Sequence, residues 1–260
     1  NADKQDKEEW TALMIAAQYG GEHDTAMMHF LIDAGADVNK QNKKGWNALM
    51  KAAERGGEHG AAMMHLLLEA GADLKAKNKH GAYAVNLARD DVKTMTLLAT
   101  QAALFDASDA DGVRVALEKG ASVHACIDGW TTLMVVIARG GDHTAEMIHL
   151  LINAGADVNK QQKDGWTALI FTAYVGDEHA VEMMRLLLDA GADANKQDED
   201  GLTALMFSLQ YGGEHVAGMI RLLIDAGADT NKQNKEGWTA LMSAQYGGEH
   251  DTAMMHFLID

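Results

Sequence analysis

Apolar and polar positions follow one another in blocks along this chain, and the stretch from Gly165 to Asp200 shows the rule most clearly. Ala168 to Val175 is a short apolar run that predicts a helix. Thr167 is placed to cap it, because its hydroxyl can accept an otherwise unpaired backbone N–H. Gly176-Asp177-Glu178-His179 breaks the run. A second helix is predicted from about Ala180 to Ala190, where Met183, Met184, Leu187 and Leu188 recur at helical spacing. Gly191 follows its last turn, a place where a left-handed residue commonly ends a helix. The polar run Asn195 to Gly201 then reads as a tight hairpin, with Asp-Gly at its return.

The chain writes this block again and again. Trp10, Trp46, Trp130, Trp166 and Trp238 occupy one position in it, and Ala82 and Leu202 fill two more copies. Trp10 and Trp46 stand 36 residues apart, a period that marks stacked units. Neither helix can bury its apolar face within so short a piece, so neighbours must stack.

Taken in order, residues 1–9 are polar and read as half a hairpin. One repeat runs from Trp10 to about Val38 and a second from Gly45 to about Leu74. The third begins at Gly81, continues in a helix from about Val92 to Thr100, and lacks the Gly-Ala-Asp ending and the hairpin. Ala102 to His124 is a short repeat with no hairpin before it, and long repeats resume at Gly129, Gly165, Gly201 and Gly237. Two arrays are therefore expected, 1–101 and 102–260, fused near Thr100-Gln101 with no hairpin over 98–105. Trp238 to Asp260 nearly copies Trp10 to Asp33, but is one residue shorter around Met242-Ser243-Ala244-Gln245.

Gly165-Trp166-Thr167-Ala168-Leu169 and Leu186-Leu187-Leu188-Asp189-Ala190-Gly191-Ala192-Asp193 resemble the ankyrin repeat, and the resemblance covers essentially the whole chain. It implies an all-α, ankyrin-type solenoid of helix-turn-helix units joined by β-hairpin-like fingers. The third repeat resembles the closing repeat of such an array, and Ala102 to His124 an opening one. There are departures from the family's Thr-Pro-Leu-His motif. Its Pro position holds Ala12, Ala48, Ala168, Ala204 and Ala240, with Thr132 in one copy, and its His position holds Met or Ile. The repeat is also about three residues longer than the usual 33, with the excess around Gly20-Gly21-Glu22-His23.

The resemblance places the Trp slot on the concave groove, where partners bind. Trp10, Trp46, Trp130, Trp166 and Trp238 are accordingly the expected partner-binding residues. The end of the first helix, facing the same groove, adds Tyr19, Tyr174, Tyr211 and Tyr246, with Arg55 and Arg139 in other copies. Amphipathic aromatics and Arg are the types enriched at binding hot spots. The competing explanation is that each Trp packs on the next hairpin and stiffens the row.

Net charge is −16, which disfavours nucleic acid and anionic membranes and favours a basic partner. One cysteine, Cys126, excludes an intrachain disulfide framework and suits a reducing, intracellular compartment. No apolar run approaches 18 residues, so no membrane span is expected. A chain that starts at Asn1 and stops mid-repeat is expected to be an excised piece of something longer.

Other constellations favour structural roles. His23, His59, His143, His179, His215 and His250 recur in the inter-helix turn, beside Glu or Asp. Stacking would set them roughly 8–10 Å apart, too far for a shared metal ion. His29, His65, His149 and His256 give way to Arg185 and Arg221 in two copies. Asp109-Ala110-Asp111-Gly112 with Glu118 mimics part of a calcium loop, but Ala107 stands at its first ligand position. Gly56-Gly57-Glu58-His59-Gly60 has no preceding strand and is not a phosphate loop. The pairs Met27-Met28, Met63-Met64, Met183-Met184 and Met254-Met255 read as core. Cys126 beside His124 and Asp128 is not a triad. The sequence thus points to a non-enzymatic module without cofactor that binds a protein or extended peptide. A solenoid that associates with itself head to tail is the alternative.

Overall fold

The computed structural model describes residues 2–20, 24–88 and 91–244. They fall into two compact units, Asn1–Thr132 and Leu133–Asp260. In the first, helices α1 (Ala12–Tyr19) and α2 (Asp24–Asp33) form one repeat, and α3 (Ala48–Arg55) and α4 (Gly57–Glu69) the next. The short α5 (Ala84–Leu87), then α6 (Val92–Asp106) and α7 (Ala110–Glu118) follow, with a two-stranded ribbon of β1 (Cys126–Ile127) and β2 (Trp130–Thr131). Helix α8 (Thr132–Arg139) leads into the second unit, which holds α9 (Thr144–Asn153), α10 (Ala168–Val175), α11 (Ala180–Asp189), α12 (Ala204–Tyr211), α13 (Val216–Asp225) and α14 (Ala240–Ser243).

Like helices stack on like. First helices pack as α1 on α3 and α10 on α12, and second helices as α2 on α4 and α11 on α13. The buried layer is what the apolar pattern dictates: Leu13, Leu49, Met63, Met64, Leu67 and Leu68 in one unit, Leu169, Met183, Met184, Leu187, Leu205 and Leu223 in the other. The methionine reading needs one correction. Met28 is buried, but Met27 is 51% exposed, because α2 packs on α1 and α4 with no earlier second helix among the described residues to cover its other side, whereas α11 lies between α9 and α13 and buries both Met183 and Met184. Met254 and Met255 lie outside the described residues.

Caps fix the helix starts. The hydroxyls of Thr11, Thr167 and Thr203 accept the backbone N–H of Met14, Ile170 and Met206. The Asn47 carbonyl accepts that of Met50. The extra residues between helices are absorbed locally. Gly57–His59 form the first turn of α4, while Gly213–His215 make a 3-10 turn before α13. In the shortened last copy α14 covers Ala240–Ser243 with Ala244 as its cap. Gln245 onward lies outside the described residues, including Phe257, Leu258 and Ile259, apolar side chains expected from the sequence to be partly uncovered and so prone to head-to-tail association.

The fingers are hydrogen-bonded turns rather than paired strands, with the β1–β2 ribbon as the exception among the described residues. That ribbon is also where Asp-Gly makes the return, both residues having positive φ (Asp128 53°, Gly129 86°). Elsewhere the turn is closed differently. Asn42 N donates to Trp46 O and Gly45 N to Asn42 O, while the Asn42 side chain accepts from Lys44 N and Trp46 N. Asp6, Asn78, Asp198 and Asn234 repeat this pattern. Neighbouring fingers are laced together within each unit: the Gln41 amide donates to Gly45 O and Lys77 O, and the Gln161 amide to Gly165 O and Gln197 O.

Asp6 and Asp198 are the charged members of a set that otherwise uses amides, and Asp198 is the more buried of the two. Burial is the main cause raising its carboxyl above the ordinary value, against the N–H groups of Leu202 and Asp200, which lower it. A carboxyl whose folded pKa is raised weakens the fold above that pKa, and the penalty fades as pH falls through it. Asp198→Asn is therefore expected to raise the melting temperature at neutral pH, with the gain shrinking as the pH falls into the acid range where the raised carboxyl takes up its proton. Thermal melts across a pH series check this; a gain that grows on acidification would contradict it.

No finger occupies 98–105. Helix α6, expected to stop near Thr100, runs unbroken to Asp106. Gln101 on it is fully buried, its amide donating to Ser122 O at 2.8 Å and its carbonyl accepting from Ser122 N at 2.7 Å. The loop so anchored carries Cys126, whose backbone N donates to Ala72 O and whose O accepts from Leu74 N.

Candidate functional site

Each compact unit gathers aromatic side chains on the face formed by its fingers and first helices. In the second unit Trp166 enters from the finger and meets two helices. Its ring lies 4.8 Å from Phe171 and 5.1 Å from Tyr174 on α10, and 4.8 Å from Phe207 on α12. Tyr174 in turn meets Tyr211 edge-on at 5.1 Å, and Phe207 stacks on Tyr211 at 6.0 Å. The five rings form a graded wall. Phe171 and Phe207 are buried, Trp166 is half-buried, and Tyr174 and Tyr211 are 46% and 50% exposed. Such edge-on contacts add about 0.5–1.5 kcal/mol per pair beyond area burial, so the exposed rings are held rigidly.

Tyr211 also opens onto a space of about 690 Å3 bounded by Leu202, Trp238, Asp200, Lys235 and Glu236. That volume lies within the usual range for ligand sites. The carboxylates of Asp164, Glu199 and Asp200 are exposed beside the wall.

The first unit uses a different pairing. The Lys51 ammonium sits 3.6 Å from the Trp46 ring centroid and 5.2 Å from that of Trp10, and bonds Glu54 at 3.0 Å. Lys51 is only 7% exposed. The two indoles thus hold a cation supplied by the chain itself, the ring quadrupole attracting the charge.

The residues expected at the groove separate on inspection. Trp10, Trp46, Trp130, Trp166 and Trp238 are all half-buried. Tyr19 is 72% exposed on α1. Arg55 is exposed and donates to Gln18 O at 3.1 Å, tying α3 to α1. Arg139 is exposed at the end of α8. Tyr246 lies outside the described residues. Tyr174 is not the counterpart of Tyr211: it is seventh in α10, whereas Tyr211 is eighth in α12. One residue is about 100° of rotation, and it turns Tyr174 towards Trp166.

Phe171, Phe207 and Lys51 were missed by pattern reading because they sit inside helices already counted as core. A signal existed. The fifth residue after the Trp slot is Ile15, Lys51, Leu87, Val135, Phe171, Phe207 or Ser243, a changing position among similar copies.

The other candidates have structural partners. Asp109 accepts Gly112 N as the cap of α7, and Asp111 pairs with Arg114. His143, His179 and His215 stand at the starts of α9, α11 and α13, the last two near Glu178 and Glu214. His59 lies in the first turn of α4, and His29, His65 and His149 are exposed on second helices. His23, His250 and His256 fall outside the described residues. Cys126 is buried, its thiol donating to Gly71 O at 3.4 Å. Among the described residues no three His, Cys, Asp or Glu side chains cluster to hold a metal ion, and no helix is long and apolar enough to cross a membrane.

The family model described as ankyrin repeats (3 copies) matches residues 1–78, 99–198, 133–219 and 175–260. It leaves out 79–98, the part that holds the short α5. No curated protein matches the chain.

Proposed function

Because the chain belongs to the ankyrin repeat family, whose members are generally protein–protein interaction modules, we propose that it binds an extended peptide segment of a protein across its finger and first-helix face. The second compact unit supplies the main anchor. The observation that carries this reading is the pair Tyr174 and Tyr211, half exposed yet both fixed against the buried Phe207, with Tyr174 also held by Trp166. Rigid amphipathic rings lose little entropy when a partner covers them, which is why such residues dominate hot spots. The exposed Asp164, Glu199 and Asp200, with a net charge of −16, favour a basic segment. Their effect falls mainly on association rate and its salt dependence.

On this reading the chain works without a catalytic step, inside the cell. The division into arrays at 1–101 and 102–260 belongs to the same proposal; the missing finger at 98–105 favours it, whereas α6 runs unbroken across that point and its compact unit extends to Thr132.

The test uses a peptide selected by panning a random phage-displayed library against the intact protein. Tyr174→Ser/Tyr211→Ser is expected to weaken that peptide at least tenfold, about 1.4 kcal/mol or more, while melting shifts little. Trp166→Ala is expected to lower both affinity and melting, since its ring also packs on two helices. Unchanged affinity in the tyrosine pair would remove the proposal.

A further inference from the structure

The third repeat builds a second kind of site. Its first helix, α5, has only four residues, where α1, α3, α10 and α12 have eight. The missing turn leaves one side of α6 uncovered. The result is a pocket of about 380 Å3 in the first compact unit, walled by Leu74, Tyr83, Val85, Met95, Leu98 and Ile127. Val85 and Met95 are 45% and 40% exposed, so its apolar wall faces solvent. The volume is at the low end for small-molecule sites.

The segment that supplies part of this wall carries the opposite charge from the rest of the molecule, and Lys75 and Lys77 are its members at the pocket, while His80 borders the space beside Trp10 and Trp46. Between Leu74 and Ala88 the chain has Lys75, Lys77, Lys79 and His80, with no Asp or Glu, although the net charge is −16. Lys75 lines the pocket, and the Lys77 ammonium is 5.2 Å from the centroid of Tyr83, itself part of the wall. Among the described residues, the carboxylate of Asp73 is buried and accepts the N–H of both Lys75 and Asp128, that of Asp128 acts on Lys77 from a distance, and that of Asp91 caps α6 by accepting Thr94 N.

We propose that this pocket binds a small amphipathic anion, an unbranched apolar chain ending in a carboxylate, with the chain against α6 and the carboxylate at Lys75 and Lys77. The apolar wall supplies affinity in proportion to the area it covers. The two ammonium groups set the sign of the head group. The site is separate from the aromatic face, so the two proposals fail independently.

The probes are decanoate and decylammonium, which share a tail and differ in charge, used below their micellar concentrations. Each competes with anilinonaphthalene sulfonate, whose fluorescence reports an apolar anion site. Decanoate is expected to displace the dye from the intact protein at lower concentration than decylammonium. Lys75→Glu/Lys77→Glu should weaken decanoate about tenfold and reverse the preference. Ala99→Phe, at the exposed edge of the pocket, should abolish decanoate binding with the melting temperature preserved. If that variant does not fold, the lysine pair decides alone. No saturable binding by the folded protein, equal binding of the two probes, or decanoate affinity unchanged in the lysine pair would overturn the proposal.

Discussion

Gln101→Leu is expected to destabilise the first compact unit by about 2–5 kcal/mol, the cost of leaving two buried backbone groups unpaired. The side chain is fully buried and returns both hydrogen bonds to Ser122, one from each end of its amide. Leu fills a similar volume but offers neither a donor nor an acceptor. The loop it would release holds Cys126, whose backbone bonds join β1 to Ala72 and Leu74. The two compact units need not unfold together, so a single midpoint would mislead. Amide hydrogen exchange in increasing urea separates them. Amides of α6, α7 and β1 are expected to lose protection first, while those of α11 and α13 stay as in the parent. A loss under about 1 kcal/mol would mean that water or a shifted loop satisfies Ser122.

The second large effect is at the fingers. Gly165 has φ 82°, and a Cβ there would stand 2.8 Å from Asp198 Cα, backbone of the next finger. Gly237 has φ 81° with nothing among the described residues within 4 Å of the same position. Gly237→Ala should cost only the left-handed strain, about 1–2 kcal/mol. Gly165→Ala adds the collision, roughly 1–3 kcal/mol more. The first finger shows what must give, since Glu9 holds that place at φ 64°. Paired urea titrations of the two variants measure the difference. Equal losses would mean that the fingers slide apart freely and that the ladder of Gln41 and Gln161 is soft.

Much of this was legible in the residues. The period, the Thr caps and the apolar spacing in each second helix give the helix pairs, because each depends on local chemistry that the copies repeat. The gap at 98–105 was visible as a missing polar run, but the unbroken helix α6 was not. What anchors it, the pairing of Gln101 with Ser122, spans 21 residues and leaves no local pattern. The site was half legible. Trp166, Tyr174 and Tyr211 announce themselves by type, whereas Phe171 and Phe207 are indistinguishable from core until their neighbours are in place. Lys51 is harder still, since nothing in a helix ALMKAAER says that its ammonium will lie between two indoles. Met27 reads like Met28 because the copies are alike, and only the position of α2 as the first second helix of the stack leaves Met27 uncovered.

The claim that the aromatic face of the second unit is the binding surface is tested most directly by hydroxyl-radical footprinting, with and without a saturating library-selected peptide. Tyr174 and Tyr211 are expected to lose most of their reactivity in the complex, while His65 and His149, exposed on second helices, keep theirs. Protection of the second-helix face with Tyr174 and Tyr211 unchanged would contradict the account.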